Sequence, residues 1–108
     1  KLIQAIGTGD WETYSTLCDA SLTAFEPEAS GHLVEGLPFH KFYFDFMKGA
    51  PKKEGNAALR NMTISSPHVR VMGNVGIVSY VRLRQKVTSS GAPVTGAGQE
   101  TRVFEKRD

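Results

Sequence analysis

The hydrophobic period of this chain changes once, near residue 59, and that change limits the fold more than any other feature. Up to Met47 the apolar residues recur at helical spacing. From Leu59 onward "LRNMTISSPHVRVM", "GIVSYVRLRQKV" and "QETRVFEKR" alternate as strands do. Helices first and a run of strands later predict an α+β fold, with helices on one face of a curved antiparallel sheet. Gly73-Asn74 is expected to make a tight turn between the first two strands. The small residues of "SSGAPVTGAG" (Ser89–Gly98) are expected to form the loop between the second and the third.

Leu2, Ile3 and Ile6 begin an amphipathic helix that Gly7-Thr8-Gly9 interrupts. Asp10 then caps a second helical set with Trp11, Tyr14, Leu17 and Cys18 on one side. Lys1 opens the first pattern without a cap, as in a chain cut from something longer. "LTAFEPE" (Leu22–Glu28) and "HLVEG" (His32–Gly36) read as a short hairpin, with Pro27 confining the first piece to an edge or an irregular end. Gly36-Leu37-Pro38 starts an aromatic helix, which "KGAPKKEGN" (Lys48–Asn56) ends. Phe39, Phe42, Tyr43 and Phe46 lie at i, i+3, i+4 and i+7 and make one stripe, suited to the concave side of a sheet. His40, Phe44 and Met47 make a second stripe. A helix apolar on more than one face needs cover from a deep core, a ligand or another subunit.

The 108 residues are expected to form one domain, 1–108, since a second core could not be built from what remains. With 40% hydrophobic and 22% charged residues, the composition is that of a soluble globular protein. No apolar run approaches the ~20 residues of a membrane span. Thirteen basic and 11 acidic residues give a net charge of +2, too balanced for nucleic-acid binding. The single cysteine, Cys18, is assigned to packing and suits a reducing compartment such as the cytosol. Asn61-Met62-Thr63 matches a glycosylation sequon, to which no function is attached.

Alternation puts Val78, Tyr80, Arg82 and Arg84 on one face of a strand and pairs Arg102 with Glu100 and Phe104 on another. A buried arginine there would need a carboxylate, with Glu26, Glu28 and Glu35 available. The pattern alone favours exposed arginines whose stems lie on the sheet. His40, near a helix start, could act as a base or bind an anion, although a hydrogen-bonded core histidine is the commoner outcome. Glu26-x-Glu28 sets two carboxylates on one side of a strand, useful for acid–base work only if they face a cavity. His68 lacks metal-ligand spacing to His32 or His40. The chain carries no phosphate-cradling loop, nucleophile motif or zinc signature, so neither catalysis nor a cofactor is expected.

The strings "LTAFEPEASGHLVEGLPFHKFYFDF", "SPHVRVMG", "YVRLRQ" and "ETRVFEKRD" resemble, in order and spacing, the association or hub domain of the calcium/calmodulin-dependent protein kinase II family. The resemblance covers nearly the whole chain. It implies a cone of curved sheet around a helix, similar to nuclear transport factor 2 and the ketosteroid-isomerase-like enzymes. It also implies a non-catalytic module that assembles kinase subunits into a stacked double ring, on the order of a dozen subunits. The aromatic residues Phe39, Phe42, Tyr43, Phe44 and Phe46 would then serve core and subunit interface.

The same resemblance implies a polar pocket that binds small carboxylates, with Arg82 of "YVRL", Arg102 of "ETRV" and His40 of "FHKF" lining it. Tyr80 would stand beside them and the Glu26–Glu28 carboxylates nearby. Family members continue past the end of this chain with a strand that supplies another pocket arginine. They often carry tryptophan where Lys48 stands, and the Lys48–Asn56 and Ser89–Gly98 segments differ from the usual animal sequences, as in a divergent or stand-alone hub. The expected partner is a further copy of the chain, with no nucleic acid and no membrane. The alternatives are a dimeric ligand-binding or isomerase/dehydratase-type enzyme of the same fold, using His40 with Glu26 or Glu28, and an adaptor that binds a peptide.

Overall fold

The structure, a computed structural model, describes residues 1–50 and 60–107, which fall into two compact units, one on either side of residues 51–59. The class is α+β, with every helix ahead of the long strands.

In the N-terminal unit, helix α1 (Leu2–Thr8) runs through Gly7 and ends at Gly9, whose left-handed φ of 73° lets its N–H reach the Ala5 carbonyl. Asp10 caps helix α2 (Trp11–Leu17) as the sequence predicts: its carboxylate accepts from the Thr13 N–H at 3.1 Å and the Thr13 hydroxyl at 2.7 Å. Those bonds hold its pKa below the usual carboxylate value. Strands β1 (Thr23–Phe25) and β2 (Leu33–Glu35) pair antiparallel, with Ala24 opposite Val34.

Helix α3 (Pro38–Gly49) starts at its proline and keeps Lys48 and Gly49 as its last residues. The rest of the basic stretch expected to end it, from residue 51 on, and Leu59, the expected first strand residue, lie outside the described residues. Of its second stripe, His40 and Phe44 are buried, while Met47, at the far end of the helix, is exposed. Phe44 is 5% exposed, with Trp11 edge-on at 5.3 Å and Tyr14 at 4.8 Å, and Ala5 completes the cluster. Burial of a phenylalanine side chain stabilises by about 1.5–3 kcal/mol. Cys18 packs against this cluster, as its assignment to packing anticipates. Phe39 and Tyr43 are half-buried, while Phe42 and Phe46 are exposed.

The C-terminal unit is a three-stranded antiparallel sheet in the order β3 (Arg60–Met72), β4 (Val75–Val87), β5 (Pro93–Glu105). Gly73, at φ 58°, turns β3 into β4 as expected. The expected loop Ser89–Gly98 is shorter than its composition suggests. The turn closes with Thr88 donating to Ala92 and Gly91 to Thr88, and Pro93–Gly98 already belong to β5. The reason is the pairing partner: Gly96 and Gly98 sit opposite Arg84 and Arg82, and a Cβ at Gly96 would meet the Arg84 guanidinium at 3.9 Å.

Strand β3 carries a bulge. Its register passes from Ser65 opposite Val81 to His68 opposite Ser79, so Ser66 and Pro67 together face Tyr80. Ser66 takes the extra residue's strained backbone, φ 50°.

Candidate functional site

The described residues bring the sequence-derived candidates together in two sets, one in each unit. In the N-terminal unit His40 is buried, its ring stacked at 5.8 Å from Tyr14. Its Nε2 lies 3.0 Å from Glu26 Oε1 and its Nδ1 3.4 Å from the Gly36 carbonyl. The aromatic-helix proline places His40 in the first turn of α3. Pro27 places Glu26 at the end of an extended stretch, directly before the 3-10 turn Pro27–Ala29. Pro27 also corrects the expected strand pair of carboxylates: Glu28 belongs to the 3-10 turn and is exposed, so Glu26 and Glu28 do not share a strand face. The pair that forms is His40 with Glu26, an acceptor on each side of one imidazole.

In the sheet unit Tyr80, Arg82 and Arg102 converge, and the residue that joins them is Glu100. Register sets Glu100 opposite Tyr80 and Arg102 opposite Val78, all on the face that alternation assigns to Tyr80 and Arg82. Glu100 Oε2 lies 2.9 Å from Arg82 Nη2, and Oε1 accepts from the Tyr80 hydroxyl at 2.7 Å and from Arg102 Nη2 at 3.4 Å. Arg102 Nε donates to the Tyr80 hydroxyl at 2.8 Å, which closes the network.

Tyr80 is 6% exposed, and burial, with help from the Glu100 carboxylate, pushes its phenol pKa up against the pull of Arg102. Arg82 and Arg102 retain 16% and 27% of their side-chain exposure, so the sheet neither buries them fully nor leaves them as solvated surface charges. Arg82 Nε is buried with no acceptor among the described residues.

Glu100 is the participant that sequence reasoning missed. Its signal was its parity with Arg102, but its position opposite Tyr80 depends on a register that alternation alone does not set. A depression of about 400 Å³, bounded by Ser66, His68, Ser79, Tyr80, Glu100 and Thr101, lies beside the network. Its rim of hydroxyls, imidazole and carboxylate contains neither guanidinium. No group of three or more His, Cys, Asp or Glu side chains among the described residues could hold a metal ion.

Comparison with known proteins places these features. The family model of the calcium/calmodulin dependent protein kinase II association domain matches residues 1–108. The chain is 47% identical, over 109 aligned residues, to the calcium/calmodulin-dependent protein kinase type II alpha chain of Drosophila melanogaster, covering all of this chain and 20% of that one. The chain thus spans about a fifth of the length of that curated relative. Its backbone is similar to the solved calcium/calmodulin-dependent kinase II hub homology domain of Chlamydomonas reinhardtii, with a TM-score of 0.85 and 51% identity over 99% of this chain and 80% of that one. It is also similar to a candidate ketosteroid isomerase from Shewanella frigidimarina, with a TM-score of 0.68 and 16% identity over 98% of this chain and 78% of that one. That likeness shows a shared fold.

Proposed function

Because this chain belongs to the calcium/calmodulin-dependent protein kinase II association-domain family, we propose that residues 1–108 work as one domain whose copies close into a ring-shaped homo-oligomer. The domain is the non-catalytic part of that family. The assembly is a stacked double ring of on the order of a dozen subunits, and it scaffolds kinase subunits in the cytoplasm. The observation that carries this reading is the family match from the first residue to the last. Apolar side chains exposed on the sheet support it, with Val69, Val71 and Val103 at 58%, 70% and 68%. No helix among the described residues is long and apolar enough to cross a membrane.

Arg82 and Arg102, with Tyr80, form a binding place for a small carboxylate, supported by their convergence and by the unfilled Arg82 Nε. For His40, Glu26 and Glu28 a ligand role rests on the sequence resemblance. The His40–Glu26 hydrogen bond is the feature that an isomerase or dehydratase reading would use.

Native mass, measured by light scattering after size exclusion across a range of concentrations, tests the proposal. A particle of about a dozen or more subunits that holds its mass on dilution is the expected result. A monomer or dimer at every concentration overturns the ring and turns attention to the His40–Glu26 pair as a site for small-molecule chemistry.

A further inference from the structure

The guanidiniums of Arg82 and Arg102 are already turned on a carboxylate that the chain itself supplies. Glu100 keeps 21% of its side-chain exposure and presents one oxygen to Arg82 at 2.9 Å and the other to the Tyr80 hydroxyl at 2.7 Å, with Arg102 Nη2 at 3.4 Å from the latter. A free carboxylate arriving at these arginines would ask for the same donors in the same geometry. We propose that Glu100 is a built-in competitor: its carboxylate occupies the place of a small carboxylate from solution, so a ligand binds only as Glu100 gives way, and Glu100 sets how weak that binding is. The inference rests on the reading of Arg82 and Arg102 as a carboxylate site and adds the residue that tunes it.

The physical case is one of exchange. Glu100 is tethered by the β4–β5 pairing, with Tyr80 directly opposite in register, so its effective concentration at the arginines is far above that of a dissolved acid. The third donor, the Tyr80 hydroxyl, is held by Arg102 Nε at 2.8 Å and so is oriented toward Glu100 before any ligand comes. Arg82 Nε, buried and without an acceptor among the described residues, shows that Glu100 does not use every donor of the site. A ligand with a second polar group gains there what Glu100 cannot offer.

The test is chemical rescue. The melting temperatures of the parent chain, Glu100→Ala and Glu100→Gln are followed against sodium acetate and sodium butyrate, with sodium chloride holding the ionic strength constant. Glu100→Ala vacates the carboxylate's place. Glu100→Gln keeps its shape and an acceptor for Tyr80, which covers the case in which the alanine variant does not fold.

The expected result is a rise in melting temperature that grows with the logarithm of acid concentration and sets in at about tenfold or more lower concentration for the variants than for the parent. Adding Arg102→Ala to Glu100→Gln should remove it. A rise that sets in at the same acid concentration in the parent and a folded variant overturns the competitor and leaves the carboxylate site standing. No rise in any chain, with the Glu100 side chain replaced, overturns both.

Discussion

Tyr80 is the buried residue of the sheet, and its hydroxyl is shared between a carboxylate and a guanidinium. Its phenol ionises above the ordinary value of 10.0, first because it is buried and then because Glu100 accepts its proton in a hydrogen bond. The folded chain therefore prefers the protonated phenol more strongly than the unfolded chain does. Stability from this preference is complete below pH 10.0 and is lost as pH rises through the folded-state value. Tyr80→Phe is expected to cost about 1–3 kcal/mol at neutral pH, since it removes a buried group bonded to charges. Urea denaturation at pH 7 and above pH 10 checks this: the gap between parent and variant should narrow in alkali, and a gap that does not change with pH would refute the account.

The single-residue roles were only partly legible beforehand. Asp10 as a cap and Cys18 as packing follow from local spacing. The partnership of His40 with Glu26 spans 14 positions, and the 3-10 turn that separates Glu26 from Glu28 follows from Pro27 in a way that an alternating pattern hides.

Among the elements, the bulge in β3 shows why alternation must be read with care. Before it, Met62 and Ile64 stand opposite Arg84 and Arg82. After it, Val69 and Val71 stand opposite Val78 and Gly76, on the same face. Apolar positions therefore pass from even to odd numbers without leaving their face, because Ser66 and Pro67 share the place opposite Tyr80. Ser66→Gly should stabilise the chain by up to about 1 kcal/mol, since a left-handed backbone suits glycine better than serine. Deletion of Ser66 should close the bulge, with Pro67 alone opposite Tyr80 and with Val69 and Val71 still on their face, and leave a folded, soluble chain. Thermal melts and soluble yield read both, and an insoluble deletion variant would overturn this reading of the register.

The strand periods and the Gly73 turn were visible in the sequence. Pro93–Gly98, nearly half of β5, was not, because this small-residue stretch has loop composition and is held as strand by its pairing with Arg82–Val87.

At the scale of the whole molecule, self-association requires that surface exposed in one copy be covered by another. Val103, on β5 and 68% exposed, stands on the face opposite to Tyr80 and the arginines. Val103→Glu should reduce the native mass to that of a smaller species while circular dichroism stays as in the parent, because a charge on an exposed strand position harms docking and not the fold. An unchanged native mass would exclude this face from the contact.

Family membership was the most legible level, since the strings around "AFEPE" and "FHKFYF" are specific to a family, whereas the side-chain geometry comes from register. The parity change opposite Tyr80 also bears on how such a gene can drift. Losing or gaining one codon within Arg60–Met72 exchanges the two faces of everything on one side of the lesion unless a bulge absorbs the change, as the one at Ser66 and Pro67 does. Single-residue length variation in this strand among descendants of the gene should therefore be confined to the bulge or the Gly73 turn, and elsewhere come in pairs of residues.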